Sequence, residues 1–454
     1  MIGASTGLKE RVSSIEAYLA QVQRDLRLPG LSVSVVQHGE VIYAAGFGTA
    51  GAGRAVDRHT PFILGSLSKS FTALAVMQLV ERKLVDLDEP VRRYIPWFMV
   101  GSPSPDAGRI TVRDLLTHMS GLSRYVGRDL LSGRGDKSVE QSVKELSAVS
   151  LIHTPGVQFE YSNSNYLVLA YLIETVSGLS YPTYIERFIF KPLSMGNSAA
   201  ASAPGLAQGY RWWFGWPLPF DAPYLVDAQG AAFLVSSAAD MARWLLLHLS
   251  DGSLDGVRVL SAAALEVLHA PFVSTKKRGS TAAMGWRVES LEGERVLRHG
   301  GEVSNFRSEM VLVPGRGLGV VVLTNCNNGL IAQLGLDQIA MHVVRLLLSL
   351  PPLRKRLTLR SFYLGLNAGI VTSTLLQLWL WPFFALSGRP TWLSVGLLVL
   401  DSFWPFLAYF WLPRAADMPW RGLKLYVPDL YSWLTGMAVI TLVLNLLIVL
   451  RWLL

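Results

Sequence analysis

At 454 residues the chain is long enough for two or three domains and a large core, and 51% of it is hydrophobic with a mean hydropathy of +0.34, high for a protein wholly in water. From Pro351 to Leu454 nine lysines and arginines face three acids, whereas the preceding part carries 32 against 30, so most of the net charge of +8 sits in the apolar tail. That distribution argues for a lipid bilayer and against nucleic acid as a partner.

The single cysteine, Cys326, excludes an intramolecular disulfide framework and reads as a small residue at a strand end. The eight histidines form no ligand cluster at metal spacing, so neither a metal nor a cofactor is expected.

In chain order, the first ten residues hold no apolar core of a signal peptide. From Leu8 to Leu26 apolar residues recur at steps of three and four, which predicts an amphipathic helix. Two alternating runs around His38, Gly39 and Glu40 then predict a β-hairpin. A helix opens in "GSLSKSFTALAVMQL", and helical, loop-rich segments continue to about residue 200. Strands return in "GWRVES", "RVLRHGG", "SEMVLVPG" and "LGVVVLTN", followed by a helix from Leu330 to Leu350. The economical fold is α+β: one antiparallel sheet built from both ends of the domain, terminal helices on one face, and an all-α lobe inserted between.

This domain covers residues 1–350. A basic linker, 351–361, leads to a transmembrane domain, 362–454, with spans predicted at Phe362–Leu386, Trp392–Leu412 and Tyr431–Leu450. Pro382 and Pro405 are tolerable there as kinks. Asp401, central in the second span, faces the bundle interior or a cavity, or bonds to a neighbouring helix through Asn367, Gln377 or Asn445. The aromatic stretch containing Trp212, Trp213, Phe214, Trp216 and Phe220 reads as a cleft lining, a membrane-interface belt or a packed loop.

The chemistry concentrates at Ser66 and Lys69. A serine hydroxyl is a weak nucleophile that needs a neutral base within hydrogen-bond reach. Residues three apart lie one helical turn above each other, so a desolvated Lys69 can serve Ser66, while the helix N-terminus favours a developing oxyanion. The bland alternative is a helix-capping serine beside a surface lysine. Ser274 and Lys277 share the spacing but sit in a loop-like basic run. Tyr161 and Asn163 precede a later apolar helix, and His299, Gly300 and Gly301 occupy a strand where glycine lets a substrate approach the backbone.

Ser-x-x-Lys, Tyr-x-Asn and a basic residue before Gly-Gly, in this order, resemble the motifs of class C serine β-lactamases and low-molecular-weight penicillin-binding proteins. "LLTHMSGL" and "AADMARW" look like framework stretches of the same superfamily. The resemblance covers residues 8 to 350 and implies a β-lactamase/transpeptidase-like fold. By it Ser66 is the acylated nucleophile, Lys69 its proton acceptor and Tyr161 the general base or acid. Asn163 orients the substrate amide, and the backbone N–H groups of Ser66 and Glu302 form the oxyanion hole. His299, with Gly300 and Gly301, replaces the Lys-Thr-Gly triplet of many members, which implies esterase or peptidase chemistry over efficient β-lactam hydrolysis. The three-span tail is similar to that of membrane-bound peptidases that remove an acylated D-amino-acid prodrug motif.

The expected function is a membrane-anchored serine hydrolase acting through acyl-Ser66 on an amide or ester of a small peptide-like substrate. A β-lactamase is one alternative; another is a sensor that is acylated by penicillins or peptidoglycan fragments without turnover. Seven basic residues flank the spans on the domain side against two opposite, which favours a cytoplasmic domain, whereas the resemblance favours an extracytoplasmic one.

Overall fold

The computed structural model describes residues 2–101, 105–133, 137–330, 335–353, 358–386 and 391–453. Among these a nine-stranded antiparallel sheet organises the first domain. Its strands are β1 (Gly30–Gln37), β2 (Glu40–Gly51), β3 (Arg54–Ala55), β4 (Val273–Ser274), β5 (Ser280–Ala283), β6 (Trp286–Leu291), β7 (Glu294–Val303), β8 (Phe306–Val313) and β9 (Leu318–Thr324), in the spatial order β4-β5-β6-β7-β8-β9-β1-β2-β3. β1 lies against β9, with Leu31 opposite Thr324 and Val35 opposite Val320, so the two ends of the domain meet in one sheet as expected.

Both faces of the sheet are covered, and the two-residue side-chain period sorts each strand between two cores. Val33, Val35, Val311, Val313, Val320 and Val322 point to one core with helices α1 (Ile2–Asp25) and, late in the domain, Ile339–Leu347; Ile15, Leu19, Ile339 and Val343 fill it. Leu297, Met310, Leu312, Val321 and Leu323 point to the other core. There they meet α2 (Ser68–Glu81) and the helix Ala238–Leu249, whose Phe71 and Trp244 rings stack at 3.8 Å.

The inserted lobe is not all helical. It contains α3 (Arg124–Leu130) and α4 (Asn163–Ser177), but also a strand pair Phe62–Ile63 with Val235–Ser236 and a hairpin of Tyr210–Trp213 with Trp216–Pro219. The predicted helix Leu330–Leu350 is shorter as well: a 3-10 turn at Leu336–Gln338 leads into α5 (Ile339–Leu347), and residues 331–334 lie outside the described part.

The aromatic hairpin divides its side chains between roles. Trp212 is buried and its indole N–H donates to the Leu26 carbonyl at 3.1 Å, while Trp216 is 65% exposed under the Arg27 guanidinium. The hairpin tip meets the tail: Gly215 sits against the Tyr363 ring, and Asn367 Nδ2 donates to the Phe214 carbonyl at 3.3 Å.

The tail folds into α6 (Leu359–Leu386), α7 (Trp392–Ala415), a short α8 (Trp420–Tyr426) and α9 (Pro428–Leu453). Among the described residues two of them, α7 and α9, are long and apolar enough to cross a membrane. The predicted linker overlaps the start of α6, whose Leu359 is buried against the first domain together with Tyr363 one turn on; residues 354–357 lie outside the described part. Polar side chains zip the long helices together. Gln377 donates to Thr441, and Asn445 Nδ2 donates to Asp401 Oδ2 and Ser402 Oγ, each at 3.0 Å. Of the three partners expected for Asp401, Asn445 is the one it meets, which satisfies the carboxyl within the bundle.

Candidate active site

Ser66 lies in a 3-10 turn, Gly65–Leu67, that runs directly into α2. No side-chain cap bond is made at this helix start, which removes the capping reading of Ser66. Its hydroxyl serves other groups: Lys69 Nζ lies 3.1 Å from Ser66 Oγ and the Tyr161 hydroxyl 3.0 Å from it.

Lys69 is completely buried on the inner side of α2. Its Nζ also donates to Asn163 Oδ1 at 2.8 Å and to the Ala231 carbonyl at 2.6 Å. Burial holds its proton affinity below the ordinary lysine range, with Tyr161 pulling the other way. Burial alone would push the Tyr161 phenol up, yet the adjacent Lys69 charge and the hydrogen bond shared with Ser66 outweigh it and bring the phenol down. The two groups thus compete for one proton beside the serine hydroxyl. The π-turn Gln229–Phe233, which supplies the Ala231 carbonyl, carries no sequence motif and was not expected at the site.

Two glycines set the backbone of the site. Gly65 adopts φ +55°, and a Cβ there would strike Glu302 N. A Cβ on Gly301 would strike the Leu64 carbonyl and Ser308 Oγ. The peptide before Ser66 is therefore pressed onto the Gly301–Glu302 peptide of β7, bringing together the two residues whose N–H groups were expected to bind an oxyanion. Gly300 lies between them and His299 on the same strand.

His299 is buried, and its Nδ1 is 2.8 Å from the Gly300 carbonyl. A carbonyl only accepts, so Nδ1 carries the hydrogen and Nε2 keeps its lone pair. Burial, then the charges of Lys69 and Arg287, push this imidazole down to about 3, so it is neutral where a lysine would be cationic. His118, within the framework stretch "LLTHMSGL", carries no motif of its own but supports the site. Its ring packs 4.3 Å from that of Tyr161, and its Nδ1 accepts from the Ser162 N–H at 3.2 Å. The second Ser-x-x-Lys has no such surroundings: Ser274 ends edge strand β4, and Lys277 pairs with Glu289 at 2.8 Å.

Residues 15–340 match the family model described as Beta-lactamase. The chain belongs to the beta-lactamase family. Within it, Protein flp of Staphylococcus aureus (strain N315) is 26% identical over 325 residues, covering 69% of this chain and 63% of that protein. The chain thus spans less than two thirds of this curated relative. The octameric penicillin-binding protein homologue from Pyrococcus abyssi superimposes with a TM-score of 0.67 at 27% identity, covering 76% of this chain and 79% of its own. EstCE1, a hydrolase with promiscuous acyltransferase activity, superimposes with a TM-score of 0.61 at 25% identity, covering 71% and 94%.

Buried neutral histidines make this beta-lactamase-family fold acid-sensitive. Burial depresses His118 and His248 well below the ordinary value, and His269 and His299 to about 3. Each binds its proton more tightly when unfolded, so its contribution is complete above the unfolded value of about 6.5 and is lost as pH falls towards the folded one. Each histidine costs about 1.4 kcal/mol per pH unit across that window. Buried Glu309, whose carboxyl is raised to about 7, gains stability as pH falls and offsets part of this loss, so the net expectation is a fall in urea midpoints from about pH 6 to 4; midpoints that rise there contradict burial of these rings.

Proposed function

We propose that this chain is a membrane-bound serine hydrolase that cleaves an amide or ester of a small peptide-like substrate through an acyl-Ser66 intermediate. The observation that carries this reading is the convergence of Lys69 Nζ, at 3.1 Å, and the Tyr161 hydroxyl, at 3.0 Å, on Ser66 Oγ in a buried site.

As Ser66 Oγ attacks the substrate carbonyl, its proton passes to the Lys69–Tyr161 pair. The acceptors Asn163 Oδ1 and Ala231 O around Lys69 Nζ favour its ammonium form, which supports the Tyr161 oxygen as the receiving atom. The carbonyl oxygen gains negative charge against the N–H groups of Ser66 and Glu302. Collapse of the tetrahedral species breaks the bond to the leaving group, which takes the proton back from Tyr161. Water then attacks the acyl-serine by the same route and frees the acid. Asn163, held by Lys69 and by the Gly127 carbonyl at 3.2 Å, is in this reading the residue that orients the substrate amide. A neutral His299 offers no cation to a β-lactam carboxylate, which supports an ester or amide substrate over a β-lactam.

Three crossings by α6, α7 and α9 are supported by the contacts of α8. Arg128 of the first domain bonds to the Ala416 and Asp417 carbonyls between α7 and α8. If α7 crossed and α6 did not, α8 would lie across the bilayer from Arg128. α6, with 28 residues, is about 42 Å long and sufficient for a crossing.

Rapid-quench hydrolysis of p-nitrophenyl acetate tests the reading. One equivalent of nitrophenol per site should appear as a burst, followed by steady turnover, with the transient acyl group mapped to the Ser66 peptide. A burst with a lasting adduct and no turnover identifies an acylated sensor, and no burst or turnover removes the hydrolase reading.

A further inference from the structure

Helix α3 connects the catalytic residues to the tail. On its inner side Gly127 lies on the backbone of Asn163, where a Cβ would stand 2.5 Å from Asn163 N. On its outer side Arg128 Nη1 donates to the Ala416 carbonyl at 2.7 Å and to the Asp417 carbonyl at 3.0 Å. Arg421 of α8 forks onto the Asp129 carboxylate, with Nε 2.6 Å from Oδ1. Gly422 approaches Ser132 so closely that a Cβ would stand 3.1 Å from its Oγ.

The far end of α8 holds the opposite wall of the cleft. The Gly329 N–H donates to the Tyr426 carbonyl at 2.6 Å. Two residues earlier, Asn327 Nδ2 donates to the Val303 carbonyl at 2.6 Å and to Glu302 Oε1 at 3.3 Å. Tyr426 itself is buried. The segment therefore bridges the Asn163 wall and the Glu302 wall.

Resting on the hydrolase reading, the direction of the substrate follows. Tyr161 returns the proton to the leaving group, so the leaving group lies towards Tyr161 and His299, whose ring centroids are 6.5 Å apart. The acyl part extends from Ser66 the other way, past Asn163 and Glu302. We propose that the segment Ala416–Val427 closes that end of the cleft and limits the length of the acyl group, making Arg128 and α8 specificity-determining parts of the site. The membrane tail is then part of the substrate pocket as well as an anchor.

The test uses the full chain in lipid nanodiscs with p-nitrophenyl acetate and p-nitrophenyl hexanoate. Arg128→Met removes both bonds to the segment, and the hexanoate-to-acetate ratio of kcat/KM should rise by about tenfold, mainly through a lower KM for hexanoate. Arg421→Ala removes only the exposed ion pair with Asp129 and should raise the ratio by roughly two- to threefold. It decides the matter if Arg128→Met fails to fold, as judged by thermal melting. A ratio that is unchanged or falls, with the unmodified protein still turning over acetate, overturns the closed end alone. Absence of both burst and turnover from the unmodified protein overturns the hydrolase reading with it.

Discussion

Replacing Ser66 by alanine abolishes covalent labelling by a fluorophosphonate probe and lowers ester turnover by a factor on the order of 10⁵, about 7 kcal/mol of transition-state stabilisation. The reason is geometric. Ser66 Oγ is the hydroxyl held at once by Lys69 Nζ at 3.1 Å and by Tyr161 at 3.0 Å, in a turn pressed against β7. Ser274→Ala is the matched control, because Ser274 ends an edge strand and the lysine three residues on is paired with Glu289. It should label and turn over like the unmodified protein. Intact-protein mass spectrometry reads both, and an adduct of equal yield on Ser66→Ala would end the assignment.

Tyr161→Phe gives the second large effect, a fall in kcat on the order of 10² to 10⁴ with the fold retained. The phenylalanine ring keeps the packing on His118 at 4.3 Å, so the loss isolates the hydroxyl. Without the phenol the serine proton has Lys69 alone to receive it, and Lys69 remains tied to Asn163 and Ala231. The pH–rate profile should lose the limb that reports the shared proton, and thermal melting should shift by no more than a few degrees. Unchanged kinetics would reassign Tyr161 to packing.

Several features were legible because they depend on local physics. The helix after Ser66, the hairpin at His38–Gly39 and the four late strands follow from side-chain periodicity and turn residues, and each lies within a few residues of its predicted place. Ser66, Lys69, Tyr161, Asn163 and His299 became candidates through the order of their three short motifs, which resembles that of the family; each motif is weak alone. Other features depend on contacts between distant residues and leave no periodic trace. The strand pair Phe62–Ile63 with Val235–Ser236 is too short to be read from either segment alone, which is why the lobe reads as all-α. Ala231 meets Lys69 through a backbone carbonyl, which any residue at that position would present.

The sequence by itself determined the α+β order of the first domain and an apolar, basic tail after it, since side-chain period and composition carry these, while the order of the Ser66, Tyr161 and His299 motifs carried the resemblance to the family. Only the tertiary structure decided which of the two Ser-x-x-Lys pairs is buried with a tyrosine. It also decided that His299 is neutral, that Asp401 meets Asn445, and that α8 lies against Arg128 and Gly329. The physical reason is common to all four: proton affinity and hydrogen-bond partnership depend on desolvation and on groups brought close by folding, and neither is a property of neighbours along the chain.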